Sequence, residues 1–188
     1  MRLFLIRHGE SINNAKRLFT GWTDAPLTEK GRRDAESVRS FLSNFNFDKV
    51  YSSDLSRAYE TAKIALPSHT PEKTPLIREL NVGSLENQSV ANVSIDIINT
   101  HNYTPFGGED FKMLTERVGN FTKSLECADY ENVAIFTHAG VILAMLANTI
   151  GEFDTRAVRR PNCAIAIFDY IDGKWMFSGL IDPELLNN

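Results

Sequence analysis

The chain has 188 residues, 43% of them hydrophobic and 23% charged, with a formal net charge of −4. That length suits a single domain spanning 1–188, and the composition is that of a soluble globular protein. An acidic balance gives no bulk affinity for nucleic acid or an anionic membrane, so a phosphate ester would have to be met by cations gathered locally. The two cysteines, Cys127 and Cys163, lie outside any CxxC or Cys/His cluster, which excludes a disulfide framework and suits reduced thiols in a cytoplasmic protein.

In chain order, residues 3–6 form a short apolar run that fits a central strand buried on both faces. Arg7-His8-Gly9-Glu10 ends that run after four residues, too soon for a signal peptide, and no apolar stretch reaches the length of a membrane span. A loop through Thr20-Gly21-Trp22 leads to a helical pattern opened by Thr28, with Ala35, Val38, Phe41 and Leu42 at helical spacing. Residues 49–52 read as a second strand, and Ser53 or Asp54 is placed to cap the helix that follows. Residues 67–75, with three prolines, read as a loop, and the irregular stretch 79–108 as partly helical around 90–100. A helix over 111–125, a buried strand over 132–137 and an apolar helix over 141–150 ended by Gly151 come next. Residues 164–170 and 174–180, joined through Asp172-Gly173, read as a β-hairpin. The alternation predicts an α/β fold: a three-layer sandwich with a mostly parallel sheet and helices on both faces.

In such sheets, ligand sites form at the carboxyl ends of strands. His8 and His138 both fall there, each with a glycine within two residues, whereas His69 and His101 lie in loop contexts that need no special reading. Arg7 precedes His8, and Arg57 sits in the first turn of a helix that starts at a strand end. Backbone N–H groups and guanidinium donors together make that end an anion site. The plainer alternative for Arg57 is a surface pair with Glu60, worth about 0.2–0.5 kcal/mol. Asp24, Asp96, Glu109 and Asp110 lack metal-ligand spacing. Arg156, Arg159 and Arg160 read first as a solvated loop and second as a rim that attracts anions.

Arg7-His8-Gly9-Glu10-Ser11 with Asn14 resembles the signature of the histidine phosphatase superfamily, which includes the phosphoglycerate mutases. The resemblance continues through Thr20-Gly21-Trp22, Leu27-Thr28-Glu29-Lys30-Gly31, Tyr51 to Ala58, Arg78-Glu79-Leu80 with Gly83, Gly107-Gly108-Glu109 and Thr137-His138-Ala139-Gly140. It implies that His8 attacks phosphorus and forms a phosphohistidine, and that Arg7, Arg57 and His138 hold the phosphoryl oxygens. Glu79 would protonate the leaving oxygen and then activate water. Ser11, Asn14, Thr20, Gly21 and Ala139 would contact phosphate or substrate, and neither metal nor cofactor would be needed. Cationic donors suit this chemistry because phosphoryl transfer is mainly positioning and charge stabilisation. After Glu79 many members carry a glycine, an aromatic, a glutamate and a glycine. Here Leu85 replaces the aromatic and Asn87 the second glycine, which changes the expected wall of the leaving-group pocket.

The expected partner is a small phosphorylated metabolite. A phosphomonoesterase is favoured over a mutase because only 27 residues separate Glu79 from Gly107, too few for a large lid that excludes water. A non-catalytic binding module would need a lost catalytic residue, and none is lost. Short chains with a Gly-Gly-Glu segment resemble α-ribazole phosphatases, which puts α-ribazole 5′-phosphate first among named substrates.

Overall fold

The computed structural model describes residues 1–187. Its elements are β1 (Arg2–Arg7), α1 (Ile12–Ala15), α2 (Glu29–Ser37), α3 (Arg39–Leu42), β2 (Lys49–Ser53), α4 (Ser56–Ala65) and β3 (Glu72–Thr74). There follow α5 (Ile95–Thr100), α6 (Phe111–Leu125), β4 (Asn132–Thr137), α7 (Ala139–Ile150), β5 (Ile165–Ile171) and β6 (Lys174–Ile181). The strands form one sheet in the order β3-β2-β4-β1-β5-β6. Its first four strands are parallel, β5 pairs antiparallel with β1, and β6 pairs antiparallel with β5. The α/β sandwich with a mostly parallel sheet is as expected.

The period of two along β1 explains the layering. Leu3 and Leu5 point into a core shared with Leu114, Val118 and Phe121 of α6 and Ile142 and Met145 of α7. Phe4 and Ile6 point the other way, onto Ala35 of α2, Leu42 of α3 and Ala62 of α4. These four β1 side chains are at most 1% exposed. Removing each from water contributes about 1.5–3 kcal/mol, so β1 is fixed at the sheet centre from both faces. The β5–β6 hairpin turns through Asp172 and Gly173 with φ of 50° and 79°, the two positive values that a type I′ turn requires.

Three local expectations change. Residues 72–74 are a strand rather than loop, pairing in parallel with Tyr51–Ser53. Three residues between Pro71 and Pro75 are too short to display alternation, and the Lys49–Glu72 ion pair at 2.6 Å helps hold the edge. The helix expected around 90–100 is limited to Ile95–Thr100, because a 3-10 turn at Val90–Asn92 precedes it and Ser94 caps the new start. Neither Ser53 nor Asp54 caps α4 on its first helical residue. Asp24, from the loop after Trp22, accepts the Ser56 N–H at 2.7 Å, while Asp54 holds Arg78 through two contacts of 2.7 and 2.5 Å.

Candidate active site

Strands β1 and β4 are parallel neighbours with Arg7 opposite Thr137, so the chain places His8 and His138 side by side. Their ring centroids are 5.1 Å apart at 61°. The His8 side chain is fixed in one orientation. Its Nδ1 lies 2.7 Å from the Gly9 carbonyl, which can only accept, so Nδ1 carries the hydrogen. Nε2 therefore keeps its lone pair, and it lies 3.3 Å from the donating Nε of Arg57. Both rings are buried, and neither ring nitrogen of His138 has a hydrogen-bond partner. Burial, reinforced by the positive charges of Arg57 and Arg7, drives the His8 pKa well below its ordinary value. The same causes act on His138, burial foremost. Both are neutral imidazoles near pH 7.

Arg57 is completely buried, and its guanidinium donates to the Thr23 and Gly21 carbonyls at 2.9 Å each. Burial lowers its pKa to about 10, so it stays charged at neutral pH. The surface pair with Glu60 does not form, because Glu60 is taken by Arg32. Arg7 donates through Nη1 to the Arg160 carbonyl at 2.6 Å, and its buried Nε has no partner. The His8 Nε2 lone pair thus accepts from Arg57, while Arg7 acts on the neutral imidazole through its charge.

Glu79 reaches the same place from a loop. One carboxylate oxygen accepts from the Leu80 N–H at 2.9 Å and from the Gly140 N–H at 3.0 Å, in the first turn of α7. The carboxylate therefore serves as the cap that His138, at the N-cap position, does not supply. A Cβ on Gly140 would lie 2.2 Å from that oxygen, so only glycine permits the approach. Arg117 of α6 holds the loop. It donates to the carbonyls of Leu76, Arg78 and Glu79 at 2.9, 3.0 and 3.3 Å and forms a bidentate pair with Glu109. Glu109 in turn accepts the Asn81 N–H, and the Trp22 indole donates to the Glu79 carbonyl at 2.7 Å.

A cavity of about 220 Å³ opens over these groups. Arg7, His8, Arg57 and Glu79 line it together with Asn14, Thr20, Gly21 and Ala139, all singled out in the sequence. His138 does not itself line the cavity; its ring lies edge-on against His8 with both nitrogens unpartnered. Ser11 is corrected: it does not line the cavity but is fully buried as the cap of α1, exchanging hydrogen bonds with Asn14. The expected change of pocket wall at Leu85 and Asn87 is also absent, since neither lines the cavity. Leu85 packs in the core, and Asn87 adopts φ of 64°, a left-handed geometry that asparagine tolerates better than most residues.

Sequence reasoning missed part of the wall. His101, assigned no role, lines the cavity and pairs with Thr155 through Nε2 at 3.1 Å. Arg160, read first as solvated, lines it too and is half-buried. Phe19, Val82, Tyr103, Phe111 and Leu143 are among the apolar and aromatic residues of the remaining wall. Tyr103 is raised to about 12, first by burial and then by the Glu79 charge, and so remains protonated. Among the described residues no group of three His, Cys, Asp or Glu is placed to hold a metal ion, and no helix is long and apolar enough to cross a membrane.

Similarity to known proteins agrees with this geometry. An adenosylcobalamin/α-ribazole phosphatase of Salmonella typhimurium is 32% identical over 164 residues, covering 80% of each chain. A protein of Escherichia fergusonii named "Probable phosphoglycerate mutase GpmB" is 31% identical, covering 96% of this chain and 90% of that one. The crystal structure of a phosphoglycerate mutase from Thermus thermophilus superposes with a TM-score of 0.77 at 29% identity, over 97% of this chain and 99% of that one. A Bacillus anthracis phosphoglycerate mutase shares the fold at a TM-score of 0.86 and 22% identity, over 100% and 95% of the two chains. Residues 3–183 match the model of the histidine phosphatase superfamily (branch 1), and it is to this family that the chain belongs.

Proposed function

We propose that the chain is a cytoplasmic phosphomonoesterase that hydrolyses a small phosphorylated metabolite through a phosphohistidine on His8. The observation that carries this reading is the tautomer. The Gly9 carbonyl takes the Nδ1 hydrogen, so the attacking lone pair is the one on Nε2, where Arg57 Nε donates to it until a phosphoryl group takes the place of that contact. Nε2 bonds to phosphorus as the ester oxygen departs. Arg7, Arg57 and His138 receive the charge on the equatorial oxygens, and Asn14 adds a donor. Glu79 passes its proton to the leaving oxygen, then takes one from a water that attacks phosphorus and frees His8. The oxygen of Glu79 not bonded to Leu80 and Gly140 is the one placed to carry that proton. Charge on the phosphoryl group is met by these side chains, so the reaction calls for no metal or cofactor.

Two substrates follow from the relatives' names: α-ribazole 5′-phosphate, first on sequence likeness, and phosphoglycerate. The second reading is a mutase-type phosphotransferase, which the likeness to proteins named phosphoglycerate mutase favours. The test is phosphoenzyme trapping. Quenching without acid during turnover is expected to yield an acid-labile, base-stable phosphoenzyme, and His8→Ala is expected to yield none and lose nearly all activity. Retained turnover in His8→Ala, or label on another residue, would overturn the reading.

A further inference from the structure

Asn14 lines the cavity from α1, a single helical turn of four residues. One turn fixes many dihedrals for few hydrogen bonds, so it does not hold a side chain in place by its own stability. What locates Asn14 is its amide. The Oδ1 accepts from the Ser11 N–H at 3.2 Å, and the Asn162 Nδ2 reaches the same oxygen at 3.4 Å. Asn162 itself does not line the cavity; it comes from the turn that leads into β5.

Backbone groups fix which way each amide points. The Ser11 N–H can only donate, so the Asn14 atom that meets it is the carbonyl oxygen. The other Asn162 contact is to the His8 carbonyl at 3.0 Å, which can only accept, so that Asn162 atom is the nitrogen. With the Asn14 oxygen held from two sides, its NH2 group is left over, and no acceptor among the described residues takes it. The free group of this cavity-lining amide is therefore a donor, the polarity that a phosphoryl oxygen requires.

The turn that carries Asn162 is closed by the Ala164 N–H on the Pro161 carbonyl at 3.1 Å. Its third residue, Cys163, has a φ of 59° and is wholly buried in the core cluster of Phe4, Ile6 and Ile165. Left-handed geometry is uncommon for a residue with a side chain, and it persists where the surroundings demand one presentation of the chain. Here the Cys163 N–H and the Asn162 side chain both reach the His8 carbonyl, at 3.3 and 3.0 Å. One turn at the head of β5 thus ties the backbone of the nucleophile to the amide of Asn14.

We propose that Asn162 is a positioning residue. The two hydrogens of its amide hold the His8 carbonyl and the Asn14 Oδ1, which keeps the Asn14 NH2 group aimed at the phosphoryl group that His8 attacks. The inference rests on the phosphomonoesterase reading and adds to it a residue that never touches substrate.

The test is a double-mutant cycle between Asn14→Ala and Asn162→Ala, read as kcat/KM with an aryl phosphate. Asn162 has no positive φ, so alanine leaves the turn unstrained. Asn14→Ala is expected to cost about 10–100-fold, as loss of a donor to a charged group, and Asn162→Ala about 5–10-fold. In the Asn14→Ala background, Asn162→Ala is expected to cost less than about 2-fold, because the group it positions is gone. A residue that only supports the turn costs the same in both backgrounds, so multiplicative losses would overturn the proposal. No loss from Asn162→Ala would do the same. Asn162→Leu keeps nearly the same shape without the donors and repeats the cycle should the alanine variant fail to fold; failure of both to fold would make Asn162 structural and overturn the proposal.

Titration of the same four proteins with inorganic phosphate separates this inference from the catalytic reading. If no ester is turned over, the catalytic reading fails, and a loss of phosphate affinity from Asn162→Ala that vanishes in the Asn14→Ala background still supports Asn162. Independent losses of affinity, or none, overturn the proposal, and a wild-type protein that neither binds phosphate nor turns over an ester overturns both.

Discussion

The two sides of the cavity are built by different means. His8, His138 and Arg57 stand on the ends of β1, β4 and the first turn of α4, where sheet pairing and two packed cores set their positions. Glu79 sits on a loop with no regular structure of its own, located by the side chains of Arg117 and Trp22 and by the α7 N-terminus. The nucleophile side is held by the fold as a whole, and the acid side by a clamp of a few hydrogen bonds. Damage to the first is expected to act on every substrate, and damage to the second only where a proton must be delivered.

The largest effects separate the sides by leaving group. Glu79→Gln is expected to slow phosphoenzyme formation from a sugar or glycerate phosphate by about 10²–10⁴-fold, yet only modestly from an aryl phosphate whose phenol departs as an anion. Arg57→Ala is expected to cost about 10²–10³-fold with both kinds of ester, because it removes charge stabilisation at phosphorus itself. Single-turnover rates are the measurement, since later hydrolysis also uses Glu79. Equal losses from Glu79→Gln on both esters would leave that residue a structural part of the loop.

A smaller effect tests the clamp. Arg117→Met removes the donors to the Leu76, Arg78 and Glu79 carbonyls without touching the cavity. We expect about a 10-fold fall in kcat with alkyl phosphates, little change with aryl phosphates and a lower Tm, as displacement of a positioned group predicts. Uniform loss across esters would mean that Arg117 supports the whole site.

The smallest effect belongs to the nucleophile side and appears in stability. His8 and His138 titrate near 6.5 when unfolded and well below that when folded. The unfolded chain therefore binds more protons below about pH 6.5. Stability from this source is fully present above that pH and is lost as pH falls toward the folded values, by up to about 1.4 kcal/mol per pH unit for each histidine. Urea denaturation at pH 7.5, 6.5 and 5.5 is expected to show the decline, and His138→Gln to reduce its slope. A slope unaltered in that variant would mean that His138 is not held neutral by burial.

The same division explains what could be read from sequence. The nucleophile side was legible because apolar runs such as 3–6 and 132–137 announce buried strands, and polar residues at their ends fall on one sheet edge. The acid side was less so. Glu79 came from resemblance, while Arg117, Arg160 and His101 act through backbone carbonyls and loop approaches that leave no periodic mark. Capping misled for a related reason. Both helices that frame the site take their caps from distant carboxylates, Asp24 for α4 and Glu79 for α7, which neighbouring residues such as Ser53 and Asp54 do not reveal. Ser11 was the converse, a motif residue whose work is structural. Leu85 and Asn87 differ from the common pattern at positions answering to core packing and backbone geometry rather than to substrate.

Trp22 offers an optical consequence. Its indole N–H is bonded to the Glu79 carbonyl, and the Arg78 guanidinium lies 4.9 Å from its ring centre. The chain has only two tryptophans. The other, Trp175, lies on the outermost strand β6 against Glu126, outside the cavity. Replacing it with phenylalanine leaves a single indole, attached to the acid-bearing loop and excited selectively at wavelengths the tyrosines do not absorb. Emission from that indole then follows the loop directly, reporting in real time how the proton donor settles as a phosphate ester enters.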